Sequence, residues 1–458
     1  MEDMKNGKRS SFSGKLGYVL AAAGASVGLG NIWRFPYLAA KYGGGIFLII
    51  YIVLALTFGY TMIVAETAIG RMTRKSPVGA FKSFGKKKWL SFGGWINAVI
   101  PVLIVPYYSV IGGWVIKYLV EYFRGNAKQL AEDGYFTDFI SNGVSTELCF
   151  VAFCAFTLII IFAGVQNGIE RVSKIMMPIL IVLSVIIAVY SVTRPGALAG
   201  VKYFLVPNVN NFSWMTVVSA MGQMFYSLSI AMGILITFGS YMKKDTAIED
   251  STRNVEIFDT GIAIMAGLMI IPAVFAFSGG DPDTLQAGPS LMFITIPKVF
   301  QNMGFGTVIG IVFFLLVLFA AVTSSIALTE SAVSTFEDEL GWGRKKATVL
   351  VGVIMLALGS LSSLGYGPLA GIKIIGMQFL DLFDFLTNSV MMPIAALLTS
   401  LFVSRVVGID KIEEEIIHGE SAFRRKKVFV VMIKYLCPVF AIIILLSSVA
   451  NALGWIKM

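Results

Sequence analysis

Gly24-Ala25-Ser26-Val27-Gly28-Leu29-Gly30-Asn31-Ile32-Trp33-Arg34-Phe35-Pro36 breaks, with glycine, an amide and a guanidinium, an apolar run long enough to cross a bilayer. Inside hydrocarbon every backbone N–H and C=O needs a partner, so unwound backbone persists only where protein, water or a bound ion replaces the helical bonds. The stretch predicts a broken helix and a binding site near the centre of a membrane. Gly24, Gly28 and Gly30 could instead simply permit close helix packing, but glycines so closely spaced and followed by Asn31 and Arg34 fit a break better.

The 458 residues are 57% apolar and 14% charged, with a mean hydropathy of +0.80, outside the range of soluble domains. Taking apolar stretches of about 17 to 25 residues as spans, eleven segments stand out, at 16–40, 44–70, 91–123, 147–165, 172–192, 214–241, 255–277, 303–336, 347–364, 378–404 and 429–455. The expected fold is all-α and polytopic. Its divisions are a cytoplasmic N-terminal segment at 1–15, a core of ten transmembrane helices at 16–404, a cytoplasmic loop at 405–428, and an eleventh transmembrane helix with the C-terminus at 429–458. The first apolar run is not the short core of a signal peptide, so no cleavage is expected.

With the N-terminus cytoplasmic, about 25 of the 36 Lys and Arg residues fall in cytoplasmic segments, which sets the orientation and leaves the C-terminus extracellular. Runs such as Lys86-Lys87-Lys88 and Arg424-Arg425-Lys426-Lys427 carry this bias. The net charge of +9 sits between spans without interleaved aromatic residues, so membrane orientation explains it and nucleic-acid binding is not expected. Cys149 and Cys154 lie on one predicted helix at a spacing unsuited to a disulfide, and the lone His418 lies in a charged loop, which disfavours a histidine metal site or acid–base chemistry. The charged residues around Glu413-Glu414-Glu415 predict a solvated cytoplasmic helix.

The first five segments and the next five each open with an interrupted one, a pattern that points to a 5+5 inverted repeat with broken first and sixth helices. The second interruption is Ser227-Leu228-Ser229-Ile230-Ala231-Met232-Gly233, after Gln223-Met224-Phe225-Tyr226. The stretch from Phe277 to Pro297 is rich in turn formers, including Gly279-Gly280-Asp281-Pro282-Asp283, and reads as a lid-like outer loop.

Gly28-Leu29-Gly30-Asn31-Ile32-Trp33-Arg34-Phe35-Pro36-Tyr37 with Gly43-Gly44-Gly45 resembles the first-helix signature of the neurotransmitter:sodium symporter family. The resemblance continues, in the family's order, through Gln223 to Gly233, Thr323-Ser324-Ser325, Phe336-Glu337-Asp338-Glu339 and Leu380-Asp381-Leu382-Phe383-Asp384-Phe385. It implies a bacterial amino-acid transporter of the eleven-span kind, sodium-coupled and working by alternating access, and not an enzyme.

Where the first helix breaks, the amides of Leu29 and Gly30 lie at the positive end of a half-helix and suit a carboxylate, and carbonyls on the other side suit sodium. The resemblance implies two sodium ions. One site would use the carbonyl of Ser26, the side chain of Asn31, Ser227 and Asp259 together with the substrate carboxylate; the other would use the carbonyls of Gly24, Val27 and Ala320 with the hydroxyls of Thr323 and Ser324. Small polar residues at 323–325 also occur in ordinary membrane helix packing. Many animal members carry Asn where this chain has Asp259, and need chloride. A carboxylate there supplies the negative charge internally, and Ala263, four residues on, lacks the polar side chain of a chloride site, although Tyr51, Gln223 and Ser227 match its other members. No chloride is therefore expected. The plainer alternative places Asp259 in solvent near the cytoplasmic end.

Arg34 and Asp384 would each cost about 2.5 to 3.5 kcal/mol unpaired at mid-helix, and the resemblance places them as an outer gate joined through water. Arg9, Asp338, Ser240 and Tyr241 match an inner gate. Glu66 is expected to bond to the mobile first helix. The side-chain pocket, by motif, contains Ala25, Ile104, Tyr108, Tyr226, Ser229, Ala231, Met232, Ser325 and Leu328, with Leu29, Gly30 and Ser227 beside the substrate's head. Ala25 stands where monoamine-recognising members have Asp, so a zwitterion is favoured, and the apolar lining favours a hydrophobic or aromatic L-amino acid such as leucine, tyrosine or tryptophan.

Rocking of segments one, two, six and seven against three, four, eight and nine is the expected motion, with Gly17 and residues 21–24 letting the inner half of the first helix swing. An intramembrane protease using Glu66, Asp381 or Asp384 lacks its motif context, and a channel lacks repeated filter elements. A proton-coupled or small-neutral-amino-acid transporter of the same architecture is the remaining alternative. Short loops and compact size suggest a bacterial inner (plasma) membrane, and a monomer or weak dimer is expected.

Overall fold

The computed structural model describes residues 9–85, 87–279, 288–452 and 454–455. The chain is helical throughout its described core. The first segment is a pair, α1 (Lys15–Ser26) and α2 (Gly30–Lys41), bent by 53° at the residues between them. There follow α3 (Gly45–Thr73), α4 (Lys88–Phe123), α5 (Gly143–Phe162) and α6 (Val165–Val192). The sixth segment is split into α7 (Trp214–Ser227) and α8 (Ile234–Ser240). Beyond it lie α9 (Ile248–Ser278), the short α10 (Leu291–Gln301), α11 (Gly306–Leu340), α12 (Arg344–Leu364), α13 (Phe379–Val407), α14 (Ile409–Ile417) and α15 (Lys426–Ala452). Among the described residues nine unbroken helices are long and apolar enough to cross a membrane, ten with the bent pair taken as one span. The α7–α8 pair adds the remaining apolar segment as two pieces, each too short to cross alone.

Outward faces of the peripheral helices carry exposed apolar side chains, such as Leu148 and Ile159 on α5, Val182 and Val189 on α6, Val349 and Val353 on α12, and Leu446 on α15. A soluble protein would bury such a belt, whereas a hydrocarbon surround accepts it. The central helices α4 and α11 pack against each other and against α5, α6 and α12. Two glycines let α3 and α8 touch backbone to backbone: a Cβ on Gly70 would fall 2.0 Å from the Ile236 carbonyl oxygen, and one on Gly239 2.4 Å from that of Thr67.

Two sequence expectations change. Part of the expected lid, Gly280 to Ala287, lies outside the described residues, but Leu291–Gln301 is a buried helix rather than loop. Its Phe293 carbonyl accepts the Tyr118 hydroxyl at 2.8 Å and its ring stacks on Phe136, so aromatic packing against α4 overrides the nearby turn formers. The expected solvated helix near residue 413 is docked instead, with Ile412, Glu415 and Ile416 buried.

Candidate substrate and ion site

α1 ends because Val27 turns to an extended conformation, after its N–H has bonded the Ala23 carbonyl at 2.7 Å. The Asn31 Oδ1 accepts the Gly28 N–H at 3.2 Å, the Tyr108 hydroxyl meets the Leu29 N–H at 3.4 Å, and Gln223 donates to the Gly30 carbonyl at 3.0 Å. Side chains from α4 and α7 thus replace helical bonds that the break removes.

The second break runs from Leu228 to Gly233, with Ser229, Ala231 and Gly233 at φ of 53°, 59° and 69°. Only Gly233 adopts this left-handed region freely, and each of the other two stores about 1 to 3 kcal/mol of strain. Specific partners hold them there. Ser229 donates to the Ala25 carbonyl at 2.9 Å, and the Ala231 N–H donates to Glu66 at 2.8 Å. Glu66 therefore serves the sixth segment rather than the first, because the amide exposed by the second break lies within its reach. The breaks meet.

Asp259, fully buried on α9, gathers polar groups from three other elements. Asn31 donates to its Oδ1 at 2.8 Å, Tyr51 to its Oδ2 at 3.0 Å, and Ser227 reaches its two oxygens at 2.9 and 3.1 Å. Burial excludes the solvated alternative. Nearby, the Ser26 hydroxyl is buried without a hydrogen-bond partner. The Ser324 hydroxyl faces the carbonyls of Gly24, Ala25 and Val27 at 3.2 to 3.3 Å. One hydroxyl proton cannot satisfy three carbonyls, so this oxygen cluster suits a hard cation that prefers oxygen ligands. Thr323 turns its hydroxyl to its own helix, onto Phe319 at 3.0 Å and Ala320 at 3.2 Å.

Between the breaks lies a small cavity of about 30 Å³ lined by Ala25, Ser26, Gly28, Leu29, Gly30, Asn31, Ile104, Tyr108, Tyr226, Ser227, Ser229, Met232, Ser324 and Leu328. No charged side chain is among them. Two expected members are elsewhere: Ser325 points to Thr157 on α5, at 3.2 Å, and Ala231 is buried with its amide on Glu66. On a helix such as α11, Ser324 and Ser325 cannot both face one cavity, since successive residues are turned by about 100°.

Tyr226 also walls a larger cavity of about 490 Å³, which Arg34, Tyr107, Asp381, Asp384 and residues of α15 line as well. Arg34 lies over the Tyr226 ring, 5.4 Å from its centroid. Asp384 accepts from Tyr107 at 3.2 Å and Asn388 at 2.5 Å. Among the described residues no ion pair joins Arg34 to Asp384; they share the wall of this cavity.

The opposite, basal side is closed. Arg9 donates to Asp338 at 2.6 and 2.8 Å, to Ser240 at 2.8 Å and to Ser334 at 2.7 Å, and lies over the Tyr241 ring. Tyr241 in turn donates to Glu330 at 2.7 Å. Sequence reasoning did not find Glu330's partner Arg344, which is bidentate at 3.0 and 2.5 Å. It also missed Glu170, which accepts the Ser13 N–H at 2.8 Å and Lys174 at 2.6 Å, and so pins the chain just before α1 to the start of α6. In the sequence Glu170 is set apart only by its place between two apolar runs, 147–165 and 172–192.

Residues 9–138 and 120–455 match the profile of the Sodium:neurotransmitter symporter family. The sodium-dependent transporter YhdH of Bacillus subtilis is 34% identical over 450 residues, covering 97% of this chain and 99% of its own. The human sodium- and chloride-dependent GABA transporter 2 is 26% identical over 474 residues, covering 89% of this chain and 75% of its own. The crystal structure of MhsT in complex with L-phenylalanine superposes with a TM-score of 0.86 at 35% identity, covering 96% of this chain and all of that one. With its paired helix breaks and these relatives along nearly its whole length, the chain belongs to the sodium:neurotransmitter symporter family and is a sodium-dependent membrane transporter.

Proposed function

We propose that the protein takes up a hydrophobic or aromatic L-amino acid together with two sodium ions, without chloride, by alternating access across a bacterial inner membrane. The carrying observation is the tie between the two breaks, Ser229 to the Ala25 carbonyl at 2.9 Å, which sets half-helix ends around one cavity lined by no charged side chain. A zwitterion fits that setting: its carboxylate takes the amides of Leu29 and Gly30, and its side chain enters the apolar lining. The Tyr108 hydroxyl now stands at the Leu29 amide and would pass from it to the substrate carboxylate. A volume of about 30 Å³ is little more than one water, so binding displaces the Met232 and Tyr226 side chains, of which Met232 is the more adaptable. That MhsT, at this likeness, is complexed with L-phenylalanine supports an aromatic substrate.

Sodium at Asn31, Ser227 and Asp259 and at the carbonyls facing Ser324 supplies the driving force, about 2.3 kcal/mol per positive charge per 100 mV. Chloride is not needed because the hydroxyls of Tyr51 and Ser227 already donate to the Asp259 carboxylate. The closed Arg9–Asp338 side is the cytoplasmic one, by the distribution of Lys and Arg, and the Arg34–Asp384 cavity opens outward.

The test is uptake by reconstituted proteoliposomes, with labelled tyrosine competed by leucine, glycine and alanine. Choline in place of sodium under a maintained pH gradient should abolish uptake, gluconate in place of chloride should not, and leucine should compete better than glycine. Uptake that persists in choline, collapses in gluconate, or yields first to glycine overturns the corresponding part.

A further inference from the structure

The helix and turn spanning residues 409–427 fasten to one side of the molecule. Arg71, at the basal end of α3, is fully buried, and a buried guanidinium is tolerable only when its charge is paired and its donors are used. Its Nε donates to Glu415 of α14 at 2.7 Å, one terminal nitrogen donates to the carbonyls of Thr246 and Lys244 at 2.5 and 3.3 Å, and the other donates to the Glu415 carbonyl. Lys244 closes the group with its own bond to Glu415 at 2.7 Å.

At the far end of the segment, Glu249 on α9 accepts the backbone N–H groups of Arg424 and Arg425 at 2.8 and 2.9 Å, and the hydroxyl of Tyr60 on α3 at 2.9 Å. The Arg425 side chain lies over the Tyr60 ring and pairs with Glu256 at 3.3 Å. Among the described residues, every side-chain hydrogen bond and ion pair that leaves 409–427 ends on α3, on α9 or on the linker between α8 and α9, and one cation–π contact, Lys411 over the Phe84 ring at 5.8 Å, reaches the connection between α3 and α4. Two glycines frame the attachment. Gly419 lies so close to the linker that a Cβ would fall 2.7 Å from the Thr246 carbonyl oxygen, whereas Gly408, at φ of +88°, joins α13 to α14 with open space around it.

We propose that 409–427 is part of the moving body of the transporter rather than a passive tether, riding with α3, α8 and α9 while Gly408 absorbs the displacement against α13. This rests on the alternating access proposed above, taken as the rocking motion expected from the sequence. Arg71 and Glu415 are then positioning residues: they hold the end of α3 and the linker after α8 at one spacing, so that movement of α8 carries α3 with it.

Pulsed electron–electron resonance on the full-length protein in nanodiscs tests this, with Cys149, Cys154 and Cys437 replaced by alanine. Spin labels are placed pairwise through Glu414→Cys on α14, Arg253→Cys on α9 and Lys346→Cys on α12, all exposed positions. Distances are compared in sodium, in choline, and in sodium with L-phenylalanine. The 253–346 and 414–346 distances should shift together by about 2 Å or more, while 253–414 stays constant. Gly419→Ala, which wedges the contact without removing a charge, should broaden the 253–414 distribution. A 253–346 shift with 414–346 unmoved overturns the inference and leaves the rocking motion standing. No shift in any pair overturns the rocking motion, and this inference with it.

Discussion

Ser229 and Ala25 join the two helix breaks through one hydrogen bond of 2.9 Å, made by a serine whose backbone is left-handed. The bond holds the strain. Ser229→Ala keeps the strained backbone and loses the bond, so it should destabilise the protein by about 1 kcal/mol. Ser229→Gly loses the bond but relieves strain of similar size, and should unfold within a few tenths of a kcal/mol of the parent. Thermal unfolding in detergent separates the two; equal losses would show that Ser229 is unstrained.

Asp259 uses its carboxylate to anchor Asn31, Tyr51 and Ser227. Asp259→Asn should raise the sodium concentration for half-maximal uptake at least about tenfold, equivalent to about 1.4 kcal/mol of lost binding. The parent should show the same uptake in chloride and in gluconate. A sodium titration of uptake in both anions reads both effects.

Arg9 spreads its guanidinium over Ser240, Ser334 and Asp338, which an ammonium cannot imitate with one point of charge. Arg9→Ala should favour the state open at the basal side, and Arg9→Lys should restore only part of the closed population. The check is the labelling rate of a cysteine at the buried Ala22 of α1, expected to rise in both variants and to fall when sodium is added to the parent.

Arg71 and Glu415 form a buried pair. Removing only the guanidinium, as in Arg71→Ala, should cost about 3 kcal/mol, because Glu415 is left with fewer partners in a buried place. Arg71→Met combined with Glu415→Met should recover most of that loss, since no charge then stays buried. Denaturant titration of the purified variants measures both, and a double variant less stable than the single would refute the account.

How much of this was legible in the chain follows from the range of the interactions concerned. The helical segments and both breaks could be read directly, because hydrophobic length and glycine placement act within about 20 residues and leave a local trace. So could the cluster of Asn31, Ser227 and Asp259, through the family resemblance of its motifs. Residue choice alone did not reveal Glu66's partner, since which amide lies in reach depends on where Ala231 is carried by the second break. Nor did it reveal that Ser325 turns toward Thr157 while its neighbour Ser324 faces the first break. That depends on the rotation of α11 about its axis, which is set by packing on α4.

The basal segment shows the same division most plainly. Lys, Arg and Glu between residues 405 and 428 look in sequence like a water-facing loop, because charge composition reports solvation preference and nothing about distant partners. Its counterparts lie up to 344 positions away, Arg71 being bonded to Glu415. The amino acids themselves settled that the chain crosses a membrane as helices and breaks two of them, because the rules for backbone in hydrocarbon are local and strict. Which charges become buried pairs, and which hydroxyl meets which carbonyl, was settled by the packed fold, because those energies exist only once remote segments exclude water together.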